Sequence, residues 1–443
     1  MRLIALFLLA SLPLAARAQE PVPTPPPQGT PAPEGQPTPE PTPPPEPGAE
    51  LPVEAADYGR FNVGAFWLTP SLRIGNVTYD SNVLYQPTGL RQSDIIASAG
   101  PGLLTVLPIG LNGRFNVDGQ VQYIYFHKTV DKRRFNTTVA GSLIFDTTRT
   151  QFDLTERWMR TNSRPDPEVD QYLLRDIEGT DLHLRRQIAG PWYFSILGSR
   201  LRTRVIDEEL FLGNDLNANL TRDKYVAGGE LEYALTVKTS LVGGGDHQWD
   251  RFPKAPSRNG EWDRYYGGIR IISETLLSGE ALVGTRRFTR DDDNQGVQRL
   301  YVRSHFQLAY SPRTSITALY TKDFDYSAYT TTGDTQTNQH DIIGAGINKE
   351  LGSRVDIQLF GNYNKLLSDG AVTIVLPDGT VQTGVRDEHY WRYGGNLGYY
   401  IREDLRAGVE VSYSQRTSTV DYFGVQGLNF GITVTYAPPQ PSY

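Results

Sequence analysis

From Tyr58 to Tyr436 the chain follows one repeated pattern: a long run of alternating apolar and polar residues, a short turn, a second such run, then a long polar connection. In RFNVDGQVQYIYF, Phe115, Val117, Gly119, Val121, Tyr123 and Tyr125 share one side, opposite Asn116, Asp118, Gln120 and Gln122. DLRAGVEVSYS sets Leu405, Ala407, Val409, Val411 and Tyr413 against Arg406, Gly408, Glu410 and Ser412, and the last run, GLNFGITVTY, alternates in the same way from Leu428 to Tyr436. Side chains of a strand alternate between its faces, so each run reads as a strand with one apolar and one wet face.

Short connections fall near residues 110, 148, 190, 238, 275, 312, 352 and 403. Long polar ones fall at 80–93, 128–134, 160–177, 207–223, 249–261, 288–298, 323–340, 365–388 and 414–426. The short ones recur about every 40 residues, the length of one hairpin of long strands. A propeller has a similar repeat but fits four short strands into it. Here there are two, each long enough for an apolar band of roughly 25 Å. The pattern predicts an all-β fold, a transmembrane antiparallel β-barrel of about 18 strands (16–18), with short periplasmic turns, long extracellular loops and both ends on the short-turn side. Closure into a cylinder removes the sheet edges and satisfies every backbone amide in lipid.

Aromatic residues are expected at both membrane interfaces. Phe145, Trp192, Tyr193, Tyr310, Tyr399, Tyr400 and Tyr436 sit near the short turns. Trp158, Tyr225, Trp262, Tyr265, Tyr320, Tyr390, Trp391, Tyr393 and Tyr413 sit toward the long loops. Pro438 and Pro439 cannot extend a ladder and end the last strand.

The first residues fit this location. Arg2, the apolar run Leu3–Ala16 and Ala16-Arg17-Ala18 read as a signal peptide (1–18). Without cysteine there is neither a lipoprotein anchor nor a disulfide. No apolar run is long enough for a membrane helix. Residues 19–57 carry half of the 30 prolines and no Lys or Arg, and read as a disordered periplasmic linker rich in extended polyproline structure. The barrel is expected over 58–437, followed by a tail at 438–443. With a net charge of −7, nucleic acid is not an expected partner.

The first strand carries a likeness. PSLRIGNVTYDSNVLY, with Pro70, Leu72, Tyr79, Asp80, Asn82 and Val83, resembles the opening "P-x-L … Y-D-x-N-v" of the β-barrel porin type 2 family of outer-membrane proteins. The resemblance implies a multi-pass outer-membrane barrel, and in some members a place beside exopolysaccharide export.

Candidate functional residues are those assigned to the wet face. SRLRTRVID puts Arg200, Arg202 and Arg204 on one side and Leu197, Leu201 and Val205 on the other. If the apolar set faces lipid, the three guanidinium groups line the lumen and bias passage toward anions, or pair with Glu230, Glu232 and Asp181 to brace the interior. Arg270, Arg303, Asp356, Glu410 and His183 complete the expected lining. Glu230 and Glu232 share a strand face, which reads as solvation of the lumen rather than as an acid–base pair. RDDDNQGV, Asp291 to Asp293 with Asn294, lacks the spaced ligands of a calcium loop and reads as a solvated tip. The six histidines are scattered and there is no nucleophile elbow or zinc spacing, so neither an enzyme nor a cofactor is expected.

The sequence therefore reads as a porin-like conduit for hydrophilic solutes, linked through the resemblance to exopolysaccharide export. The alternative is a non-conducting barrel with a loop-filled lumen that tethers envelope layers. Expected partners are outer-membrane lipid and lipopolysaccharide, the barrel assembly machinery, and periplasmic or polysaccharide-export proteins reached by the linker.

Overall fold

In the computed structural model, which describes residues 61–436 apart from 88, 166–167, 208–209, 273–275, 292, 330–336, 377 and 403, the alternating runs become long strands. They are β1 (Phe66–Asp80), β2 (Asp94–Ile109), β3 (Gly113–Phe126), β4 (Arg134–Asp146), β5 (Thr150–Ser163) and β6 (Leu173–Ala189). Next come β7 (Trp192–Val205), β8 (Arg222–Ala234), β9 (Thr239–Arg251), β10 (Gly260–Ile271), β11 (Leu277–Arg290) and β12 (Asp293–Ser311). The last are β13 (Thr314–Tyr326), β14 (Thr337–Leu351), β15 (Val355–Val375), β16 (Val381–Arg402), β17 (Leu405–Ser418) and β18 (Val425–Tyr436). The expected signal peptide, proline-rich segment and C-terminal tail lie outside the described residues.

Every strand pairs antiparallel with its chain neighbours, and β1 pairs with β18, from Leu72 opposite Tyr436 up to Asp80 opposite Asn429. The sheet is therefore a closed 18-stranded barrel; a three-residue strand, Phe61–Val63, folds back on Phe66–Leu68 and brings the sheet's total to 19. The eight short turns lie where the spacing places them. A closed barrel with short turns at one rim and long loops at the other is an outer-membrane architecture.

Face assignment follows from exposure. Along β18, Leu428, Phe430, Ile432, Val434 and Tyr436 are exposed, while Thr433 and Thr435 are buried. Exposed apolar side chains on a strand with a buried polar face are the lipid-facing set. Val411, in the middle of β17, is opposite Gly395 on β16 and Phe430 on β18, near mid-membrane. Val411→Arg is expected to cost about 2–4 kcal/mol, read as a lower urea midpoint for unfolding from lipid vesicles. An unchanged midpoint would mean that this face does not lie in hydrocarbon.

Both aromatic belts are present, with four corrections. Tyr193 and Tyr400 stand next in sequence to the outward Trp192 and Tyr399, so the two-residue period turns them inward. Trp262 and Tyr390 are buried inside, next to the outward Tyr265 strand face and Trp391. Two long connections are also shorter than expected. β15 and β16 run on to Val375 and back from Val381, because Val372 and Ile374 continue the alternation and pack on neighbouring loops. β12 begins at Asp293, while Asp291 is a turn residue ion-paired with Arg251 at 3.2 Å, and Asp292 lies outside the described residues.

Candidate functional site

The bore is braced on two separate walls. On β6 and β8 to β12, Arg185 donates from Nε and Nη2 to Glu232 (3.1 and 2.9 Å). Arg270 bridges Glu230 (3.2 Å), Glu232 (3.6 Å) and Glu280 (3.1 Å), and Arg303 joins Glu280 at 3.4 Å. Tyr266 donates to Glu230 at 2.8 Å. Higher up, Arg264 pairs with Asp246 and Arg286 with Asp323. Farther round the barrel, on β15 to β17, Arg406 grips Asp356 through two hydrogen bonds (2.9 and 2.6 Å), and Arg392 faces Glu410 at 3.9 Å. Glu230, Glu232, Arg270, Arg303, Asp356 and Glu410 thus all point inward, as do Asp181 and His183.

A third wall is open. Asp118, Ala140, Arg157 and Gly179 form one inward row across β3 to β6. The small Ala140 and Gly179 leave room between the charged members, so Asp118 is exposed and the Arg157 side chain is 53% exposed inside the cylinder.

Arg200, Arg202 and Arg204 are the correction. They share the face of Trp192, Phe194 and Ile196, all exposed to lipid, while Ser195, Leu197 and Val205 are buried inside. Their partners are Glu178 on β6 and Asp223 on β8, not Glu230, Glu232 or Asp181. The physical reason is depth. Arg200, Arg202 and Arg204 stand eight, ten and twelve residues above Trp192, about 20–30 Å up a strand tilted near 40°, so they straddle the upper edge of the roughly 25 Å apolar band. Outward charge there meets lipid head groups and water. A belt of similar pairs continues around that rim, including Arg160–Asp176 (2.6 Å), His247–Asp263 (2.7 Å) and Lys322–Asp341 (2.9 Å). Replacing all three ladder arginines by Gln is expected to leave the reversal potential of any current through the barrel unchanged; a shift toward cations would place them in the bore.

Alternation of the strands gave no signal of the loops, whose described residues meet over the long-loop mouth. The connection after β5 reaches to the opposite side of the cylinder. There Glu168 accepts from Ser327 Oγ (2.5 Å), the Ala328 N–H (2.6 Å) and Arg386 Nη1 of β16 (3.2 Å). Two residues on, Asp170 is held by both Nη atoms of Arg416 on β17. Val169 between them is fully buried and packs with Tyr329, Phe423, Val372 and Leu216 from four other connections or strand ends. Arg164 donates to Val83 O (2.7 Å) and stacks 3.5 Å above Tyr85, tying the same connection to the first loop. Arg258 donates to Ser327 O (2.5 Å) beneath this cap. Burial pushes its guanidinium pKa down to about 10.

The residues of the opening motif serve the seam. Asn82, fully buried, donates from Nδ2 to Gln86 O (2.8 Å) and to Gln426 O (3.0 Å) of β18, and its Oδ1 accepts from the Gln86 N–H (3.0 Å). Asp80 Oδ1 accepts from the Asn82 N–H at 2.8 Å. Ser81 and Leu428 exchange two further bonds, of 3.0 and 2.7 Å. Leu72 and Tyr79 face lipid, and Pro70 is exposed on the same face.

No protein-family model matches the chain, and no curated protein matches its sequence. The resemblance at the first strand therefore stands on its motif alone. Among solved structures the chain is similar to the outer membrane protein OpdK from Pseudomonas aeruginosa, at 10% identity over 84% of this chain and 98% of that one, with a TM-score of 0.43. OccAB3 from Acinetobacter baumannii gives 10% identity, coverage of 85% and 99%, and a TM-score of 0.41. The FrpB iron transporter from Neisseria meningitidis gives 12% identity, 79% of this chain and a TM-score of 0.40; the chain spans 62% of that protein's length.

Proposed function

We propose that the protein is an outer-membrane conduit for hydrophilic solutes, closed at its extracellular mouth by its own loops. The observation that carries this is the inward row of Asp118 and Arg157, exposed to water inside the cylinder below the cap. Apolar side chains could have filled that space at lower desolvation cost; a hydrated, charged wall suits solute passage. The expected result in planar bilayers is stepwise current from the purified protein. A barrel that passes none, even when the Arg386 anchor of the cap is removed, would be sealed.

The second reading, a loop-filled barrel that tethers envelope layers, is favoured by the ion pairs that hold Glu168 and Asp170 across the bore. Absence of current under every condition would decide for it. A role in exopolysaccharide export rests on the first-strand resemblance. Genes for polysaccharide synthesis beside this one would support it, and their absence would favour a general pore.

A further inference from the structure

Resting on the conduit reading, we propose that Glu168 and Asp170 occupy an anion site that belongs to the solute, and that a carboxylate-bearing solute opens the mouth by displacing them. The wall of this site is built from three guanidinium groups, Arg386, Arg416 and Arg258, with one hydroxyl and one backbone N–H from Ser327 and Ala328. Such a set of donors matches the two oxygens of a carboxylate. One carboxylate is fixed on the wall itself: Glu388 lies 2.7 Å from Arg386 and 3.9 Å from Arg416. The other two come from a connection that enters from the far side of the bore.

Charge makes the two states unequal. With Glu168 and Asp170 in place, the three cations are matched by three carboxylates; without them, Glu388 is the carboxylate left beside Arg386 and Arg416 among the described residues. Arg386, Arg416 and Arg258 are each 4% exposed or less. Buried guanidinium groups left without counter-charge are strongly unfavourable, so the loop carboxylates leave readily only when other anions take their place. Arg258 adds an independent sign. Its Nε and Nη1 are buried and make no hydrogen bond to the described residues, its guanidinium lying 5.0 Å from the Phe252 ring, so it keeps donors that no internal carboxylate uses. A neutral sugar brings no charge and cannot substitute. An acidic oligosaccharide or a small polycarboxylate can.

The test uses the full chain in planar bilayers with potassium chloride, and trigalacturonate or maltotriose added at equal concentration. Trigalacturonate is expected to raise the frequency of openings at least about tenfold, with maltotriose leaving it unchanged. E168Q/D170N is expected to open without either sugar. Equal responses to the two sugars, or no response of the wild type while E168Q/D170N conducts, would overturn the proposal and leave the conduit standing. No current from wild type, from E168Q/D170N or from R386Q/R416Q would overturn the conduit reading itself. If the double variants do not fold, as read from their mobility on unheated gels, the wild type's response to the two sugars decides.

Discussion

Arg386→Met is expected to release the mouth of the barrel while leaving the strands paired. Arg386 is fully buried, donates from Nε to Glu388 (2.9 Å) and from Nη1 to Glu168 (3.2 Å), and lies 3.8 Å over the Phe423 ring. Methionine keeps much of the packing and removes the charge, leaving two nearly inaccessible carboxylates without their main cation. Breaking a buried pair from one side costs about 3–5 kcal/mol. Most of that falls on the cap, because Glu168 can regain water by withdrawing, whereas the backbone ladder of β16 is untouched. The measurement is limited proteolysis of the membrane-embedded protein, with fast cleavage around residues 168–172 and 327–329 expected. The triple variant E168Q/R386M/E388Q is expected to recover most of the protection, since burying neutral amides costs far less than burying unpaired ions. Equal protection of Arg386→Met and wild type would show that the ion pairs do not hold the cap.

Asn82→Ala is expected to weaken closure of the cylinder itself. The β1–β18 pairing runs only from Leu72 to Asp80, with an irregularity between Ile74 and Val77, so the seam depends on what fastens its upper end. Asn82 fastens it with side-chain bonds to Gln426 across the seam and to both the N–H and the carbonyl of Gln86. Alanine leaves those partly buried backbone groups without this partner at up to about 1–3 kcal/mol each, for a loss of about 2–4 kcal/mol after relaxation. A lower urea midpoint and a weaker compact band on unheated gels would report it. Asn82→Asp, which keeps the acceptor and loses the donors, is expected to fall between. If alanine behaves as wild type, the short ladder closes the barrel unaided.

These two residues also mark how far sequence reasoning reached. Asn82 was legible as part of a motif, but its role was not, because Gln426, its partner across the seam, lies 344 residues away. Arg386 fell in a segment expected to be loop. It sits instead on a strand that rises beyond the hydrocarbon, where inward side chains meet folded loops rather than open water. Glu168 and Asp170 looked like two acids in a polar connection. Nothing local distinguishes a carboxylate that reaches solvent from one that spans a bore to an arginine over two hundred residues away.

What the sequence determined alone is the cylinder: strand number, the rim for each turn, and the lipid face of strands such as β3, β17 and β18. Those follow from a two-residue period and from turn lengths, which are local properties. Tertiary structure decided depth and the course of the loops. On β7 the outward face changes from Trp192, Phe194 and Ile196 to Arg200, Arg202 and Arg204 where the strand leaves hydrocarbon, while the inward face there is apolar. A short window centred on the arginines therefore shows the opposite orientation. Only the register to neighbouring strands sets height in the membrane, and with it whether a charge faces the bore or the lipid head groups.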